Sequence, residues 1–213
     1  MSAGTHYFYV VSLPEGRFRT CLDGIRLLAE PNTRFPAHLT VRGPYDIPLD
    51  ISPYGEKVKG AVARVVDIGE FFTDAQNTVF FHCSCPALLS VWDKPDYATY
   101  NPHITLYNGE SRHFAESICR VVERYPIRYT FEVSGLDPLV SVKGVKGSLL
   151  RDRFDSKSLE QIIGERIDLE GIEAMSESSR LDWIDRIARH MVGNPKSSAV
   201  ARPFAHTIAR SAT

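Results

Sequence analysis

Read as hydrophobic and polar positions, the chain alternates between short β-patterned runs and helical stripes. Residues 6–13 (HYFYVVSL) are rich in β-branched and aromatic side chains and are stopped by Pro14, which predicts a strand. Beyond Pro14, Phe18, Cys21, Leu22, Ile25 and Leu28 recur at helical spacing until Pro31-Asn32, the signature of an amphipathic helix. Residues 37–42 alternate strictly and end at Gly43-Pro44, with Leu39 and Val41 on one face and His38, Thr40 and Arg42 on the other. The stretch around Val58–Val65 reads as a short helix followed by a strand ending near Phe72. Residues 78–84 (TVFFHCS) form a firmer strand, and Leu88, Leu89, Val91 and Trp92 mark a short helix after Pro86. A third alternating strand covers 102–107, with Ile104 and Leu106 opposed to His103, Thr105 and Tyr107, and Asn108-Gly109 ends it. Ser111 caps a helix bearing Phe114, Ile118, Val121 and Val122, and residues 127–133 and 139–142 supply two more strands.

The order strand, helix, His-x-Thr strand thus occurs twice, in residues 6–42 and 78–107. A repeated supersecondary unit predicts an α+β, bilobed pseudo-twofold fold of two antiparallel sheets lining a central cleft with helices outside. From about residue 149 charged helical signals replace strand signals. Leu181, Ile184, Ile187, Ala188 and Met191 form a stripe, Ser179 with Asp182 resembles a capping box, and Gly193 with Pro195 supplies a stop. The division is therefore a domain over 1–148, a C-terminal helical appendage over 149–193 and a tail over 194–213, whose His206 carries no expected role.

Composition narrows the partners. The 213 residues hold 25 Lys+Arg against 26 Asp+Glu and are 43% hydrophobic, which excludes a disordered chain and gives no electrostatic case for binding duplex DNA. A phosphate pocket needs only a few local cations. No apolar run reaches the ~20 residues of a membrane span, and the N-terminus lacks a secretory pattern, so the expected location is cytoplasmic, with no membrane partner. The four cysteines are too few for a disulfide framework. Cys83 and Cys85 beside His82 lack the second ligand pair of a zinc site and read as buried thiols, and no metal or cofactor is expected.

A single His-x-Thr is weak evidence, since a half-buried sheet histidine bonded by its neighbours explains it. Paired copies on matching elements say more, because alternation places each His and Thr on one non-core face. That pattern suits metal-independent phosphodiester cleavage. One neutral imidazole takes a proton from the attacking oxygen, the other as imidazolium protonates the leaving oxygen, and each threonine hydroxyl donates to a non-bridging phosphate oxygen.

Ala37-His38-Leu39-Thr40-Val41 and Pro102-His103-Ile104-Thr105-Leu106 resemble the paired motifs of the 2H phosphoesterase superfamily, over roughly residues 5–145. The resemblance implies a phosphoric diester hydrolase acting on a 2′,3′-cyclic phosphate or a 2′-5′ linkage of a nucleotide or short RNA. It implies His38 and His103 as the catalytic pair, with His103 as base and His38 as acid, and Thr40 and Thr105 as phosphate donors. The segment after 149 departs from compact members of that superfamily and is a candidate for substrate contact, cleft cover or an oligomer contact.

Arg42 and Tyr107 hold equivalent positions two residues past each threonine. They are candidates for pairing with phosphate and stacking on a base, against the plainer readings of a snorkelling arginine and a packed tyrosine. Tyr9 is a further substrate-binding candidate if Phe8 and Val10 face the core, with the opposite parity left open. Lys143, with Lys146, could bring a cationic loop to phosphate or be a solvated charge; His82 reads as a satisfied sheet residue. The competing function is a non-catalytic nucleotide or RNA-end binding module whose C-terminal helix docks a partner.

Overall fold

A computed structural model describes residues 4–94, 99–142 and 150–192. Seven strands and five α-helices follow one another as β1 (Thr5–Ser12), α1 (Arg17–Ala29), β2 (His38–Tyr45), α2 (Ser52–Val58), β3 (Val62–Phe72), β4 (Asn77–Ser84), β5 (His103–Gly109), α3 (Arg112–Glu123), β6 (Tyr129–Glu132), β7 (Asp137–Val142), α4 (Ser156–Ile163) and α5 (Glu177–Met191). The helical stripe expected after Pro14 is real: Phe18, Cys21, Leu22, Ile25 and Leu28 are all buried on α1. Ser111 caps α3, its hydroxyl accepting from the Phe114 amide at 3.2 Å. The short helix in the second repeat is a 3₁₀ segment, Pro86–Val91, with Leu88 and Val91 turned inward.

The fold is α+β, and every strand pairing is antiparallel. The sequence pattern has two facing sheets, whereas hydrogen bonding joins all seven strands in the order β6-β3-β4-β5-β2-β1-β7. The two motif strands are what connect the halves, through the pair Leu39 and Ile104. This pair is the centre of an apolar row running Ile68, Phe81, Ile104, Leu39, Val11 across five strands. Its inner members are essentially inaccessible, and α1 and α3 pack on that sheet. A slip of one residue would turn the row out to the opposite face, so core burial fixes the register.

Both motif strands carry a bulge at the same place. Val10 pairs with Thr40 but Tyr9 with Arg42, which makes Val41 the extra residue of β2. Phe80 pairs with Thr105 but Val79 with Tyr107, which makes Leu106 the extra residue of β5. An extra residue breaks alternation, so Arg42 and Tyr107 are buried along with their predecessors instead of following the threonines. Just beyond the first bulge Gly43 has φ +99, and a Cβ there would lie 2.5 Å from the Tyr7 carbonyl oxygen. Only glycine fits that turn.

The C-terminal helices share one apolar core with the sheet domain. Leu159 and Ile163 of α4, and Ile184, Ile187, Ala188 and Met191 of α5, join the cluster that contains Leu22, Ile25 and Leu39. The α5 stripe packs on α1 and α3. α4 approaches α1 where Gly24 has no side chain, and a Cβ at Gly24 would meet Leu159 at 2.8 Å. The helix begins a turn earlier than the Ser179–Asp182 pattern suggests: Ser176 is the cap and accepts from the Ser179 amide at 3.1 Å. Ser176 is equally able to cap, and Glu177 in the first turn suits the positive end of the helix. The tail over 194–213 lies outside the described residues. No helix among those described is long and apolar enough to cross a membrane.

One buried cation ties helix to sheet. Arg26 of α1 donates to the Thr105 carbonyl of β5, to the Thr33 hydroxyl and to the Phe35 carbonyl, the latter two at 3.2 Å. Arg26→Met should strand these acceptors in the interior and cost roughly 2–4 kcal/mol. Urea denaturation at pH 7 measures it, and a loss below about 0.5 kcal/mol would contradict this role.

Candidate functional site

The pair Leu39–Ile104 also sets the chemistry on the other face of the sheet. Continuing its antiparallel register one step each way puts His38 opposite Thr105 and Thr40 opposite His103. All four are partly exposed, while Leu39 and Ile104 between them are buried. His38 and His103 are then diagonal neighbours, whose backbones lie about 7–8 Å apart in such a pair, within reach of two rings around one small ligand. Outward from them, Ser12 stands beside His38, Val10 beside Thr40, His82 beside His103 and Phe80 beside Thr105. The Phe80 ring lies 4.8 Å from the His103 ring, centroid to centroid.

Each imidazole is held by the same device. His38 Nδ1 lies 2.7 Å from the Pro36 carbonyl, and His103 Nδ1 lies 2.8 Å from the Asn101 carbonyl, in both cases two residues back. A carbonyl only accepts, so each Nδ1 carries the proton and each neutral ring keeps its Nε2 lone pair as a base. The threonine hydroxyls Thr40 Oγ1 and Thr105 Oγ1 make no side-chain hydrogen bond among the described residues.

The environment keeps both rings neutral. Burial holds His38 down to about 4, helped by the charges of Arg26, His103 and Lys94, against the upward pull of the Pro36 carbonyl. The residue as a whole is partly exposed. His103 is also lowered, by burial first and then by Lys94 and His82, with the Asn101 carbonyl opposing. His38 thus feels His103 across the sheet, and His103 feels His82 beside it.

No family model, curated protein or solved structure matches the chain. What the site can do rests on its geometry.

The other expected substrate contacts lie elsewhere. Arg42 is buried, donates to the Val91 carbonyl at 2.8 Å and to Asp93 Oδ2 at 3.0 Å, and lies 4.1 Å over the Tyr54 ring. The Tyr107 hydroxyl accepts from the Ser111 amide at 3.1 Å and its ring packs edge-on against Phe114. Tyr9 is 2% exposed, and its hydroxyl accepts from the Leu49 amide at 2.5 Å. These three side chains brace strands and loops: the bulges after Thr40 and Thr105 take Arg42 and Tyr107 off the histidine face. Lys143 and Lys146 lie outside the described residues.

Cys83 and Cys85 are buried free thiols, and burial pushes Cys83 up to about 12, leaving it inert as a nucleophile. No three His, Cys, Asp or Glu side chains come together as a metal cage among the described residues. His82 Nδ1 lies 3.1 Å from Asn101 Oδ1, so Asn101 contacts His82 through its side chain and His103 through its backbone. Ser12 is a site neighbour that sequence reading missed. For Ser12 the signal was present, since it differs in parity from the buried Val11 on β1. A cavity of about 740 Å³ between the β1–α1 connection and α4, lined by Arg17, Arg19 and Arg153, meets this region only at Pro36 and Asp23 and holds neither imidazole.

A depressed histidine carries a definite sign for stability. Above pH 6.5 folded and unfolded His38 are both neutral and the group contributes nothing. Between 6.5 and about 4 the unfolded chain takes a proton that the folded ring refuses, so stability falls, by roughly 3 kcal/mol from this group. Thermal unfolding of His38→Asn should decline less steeply than wild type as the pH drops from 7 to 4.5, and equal slopes would contradict a buried neutral ring.

Proposed function

We propose that the protein is a phosphodiesterase that opens a 2′,3′-cyclic phosphate or cleaves a 2′-5′ phosphodiester of a nucleotide or short RNA. The observation that carries this reading is the pair of imidazoles on one sheet face, each with Nδ1 bonded to a backbone carbonyl and Nε2 directed away from that anchor. In this reading the strands β7-β1-β2 and β6-β3-β4-β5 act as two lobes, and the phosphate sits in a cleft over their junction.

Hydrolysis of a cyclic phosphate then runs as follows. The lone pair of one Nε2 takes a proton from water as the water oxygen bonds to phosphorus, and the bond from phosphorus to one ribose oxygen breaks. The other ring, as imidazolium, gives that ribose oxygen a proton, leaving a phosphomonoester and a free hydroxyl. Thr40 and Thr105 donate to the non-bridging oxygens, where negative charge builds.

Burial lowers both rings, so each is neutral in the free protein and either can take a proton; the family resemblance implies His103 as the base and His38 as the acid. An anionic phosphate seated between the rings raises both and supplies the proton affinity that the acid needs.

The expected outcome is turnover of cyclic or 2′-5′ substrates that persists in EDTA. His38→Ala and His103→Ala should each lower the rate by ~10²–10⁴, with circular dichroism showing a retained fold. Folded alanine variants that match wild type would overturn the reading. Tight binding of a 2′,3′-cyclic nucleotide without product after long incubation would leave a binding module in its place.

A further inference from the structure

We propose that Asp23 is a positioning residue for His38, holding through one peptide group the carbonyl that fixes the imidazole. The assignment deepens the function proposed above and rests on it for the reason why a fixed His38 ring matters.

The Pro36 carbonyl that meets His38 Nδ1 at 2.7 Å and the Ala37 amide belong to the same peptide unit. That unit is trans, so its C=O and N–H point in opposite directions. The N–H end donates to Asp23 Oδ1 at 2.5 Å. Carboxylate, peptide and imidazole thus form one line of hydrogen bonds, and turning the peptide plane would break both ends together. A carboxylate accepting at the N–H end also polarises the group toward its oxygen, which strengthens the bond to Nδ1.

Asp23 lies on α1 between the buried Leu22 and Gly24 and is itself 5% exposed. A carboxylate is rarely buried without a partner. Burial pushes this one up, and the Ala37 amide is first among the groups that pull it back, ahead of Arg26 and Arg19. Its second oxygen, Oδ2, lies 3.6 Å from Arg19 Nε. Three residues along the same helix, Arg26 donates to the Thr33 hydroxyl and the Phe35 carbonyl. Two buried charges of α1 therefore hold the segment that delivers His38 at residues 33, 35 and 37, and only the contact at 37 falls on the peptide that anchors the ring.

His103 lacks this support for a covalent reason. Its anchor is the Asn101 carbonyl at 2.8 Å, and the next residue is Pro102, whose nitrogen carries no hydrogen. The two otherwise matched rings differ in what stands behind the carbonyl, which makes His103 an internal control.

The test reads the ring tautomers of the full chain at pH 7 by proton–nitrogen correlation NMR, beside turnover of a 2′,3′-cyclic nucleotide. In wild type both rings should carry the proton on Nδ1. Asp23→Ala should turn His38 into a mixture of tautomers and leave His103 as it was, with kcat lowered ~10–10²-fold and KM within about threefold. Asp23→Asn, which keeps an oxygen for the Ala37 amide, should hold the Nδ1–H form and recover most of kcat. A His38 tautomer unmoved in folded Asp23→Ala overturns the assignment, and so do equal changes at both rings, which would mark a general loosening of the sheet. Should Asp23→Ala not fold, wild type still decides. Its Ala37 amide should exchange with deuterium at least ~10²-fold more slowly than a free amide, and rapid exchange overturns the assignment. If the tautomers respond as expected and no substrate turns over, the proposed function fails and the assignment stands; turnover that needs both histidines with an unmoved His38 tautomer does the reverse.

Discussion

The contact on which the rest depends is the pairing of Leu39 with Ile104. Two strands from separate stretches of chain meet there, both side chains are excluded from solvent, and the apolar row they centre extends to Val11 on one side and Ile68 on the other. Burying this row fixes the strands against a one-residue slip, because a slip would turn five apolar side chains outward. The opposite face is fixed by the same constraint. If Leu39 and Ile104 are inside, His38, Thr40, His103 and Thr105 must lie together outside, without needing any contact with one another.

Placement on a face does not by itself aim a ring. The aiming comes from backbone carbonyls two residues before each histidine, which choose the tautomer and anchor each ring through Nδ1. Partial burial and neighbouring cations then hold both rings neutral. This arrangement costs stability at low pH, as burial of any neutral imidazole does.

Support for this face comes from the far side of the sheet. Arg26 on α1 grips the Thr105 carbonyl, and α1 is itself covered by α4 and α5 through contacts at Gly24 and along the Ile184, Ile187, Ala188 and Met191 stripe. The C-terminal helices thus back the helix that holds a motif strand. Their apolar stripe is spent on the chain's own core.

Much of this was legible from the sequence, for a local reason. Alternation of polar and apolar residues, the caps and the proline and glycine stops are properties of neighbours in the chain, so the strand and helix order, the burial of Phe18, Leu22 and Ile25, and the shared face of each His and Thr follow from it. The fates of Arg42, Tyr107 and Tyr9 did not, because one extra residue at Val41 and at Leu106 resets the alternation, and a bulge is set by the partner strand and not by the strand itself. Nor did the neighbours Ser12 and His82, which stand beside the histidines only through cross-strand register. The union of seven strands into one sheet was likewise decided in three dimensions: pairing energy between distant segments has no periodic trace in the sequence that either segment carries.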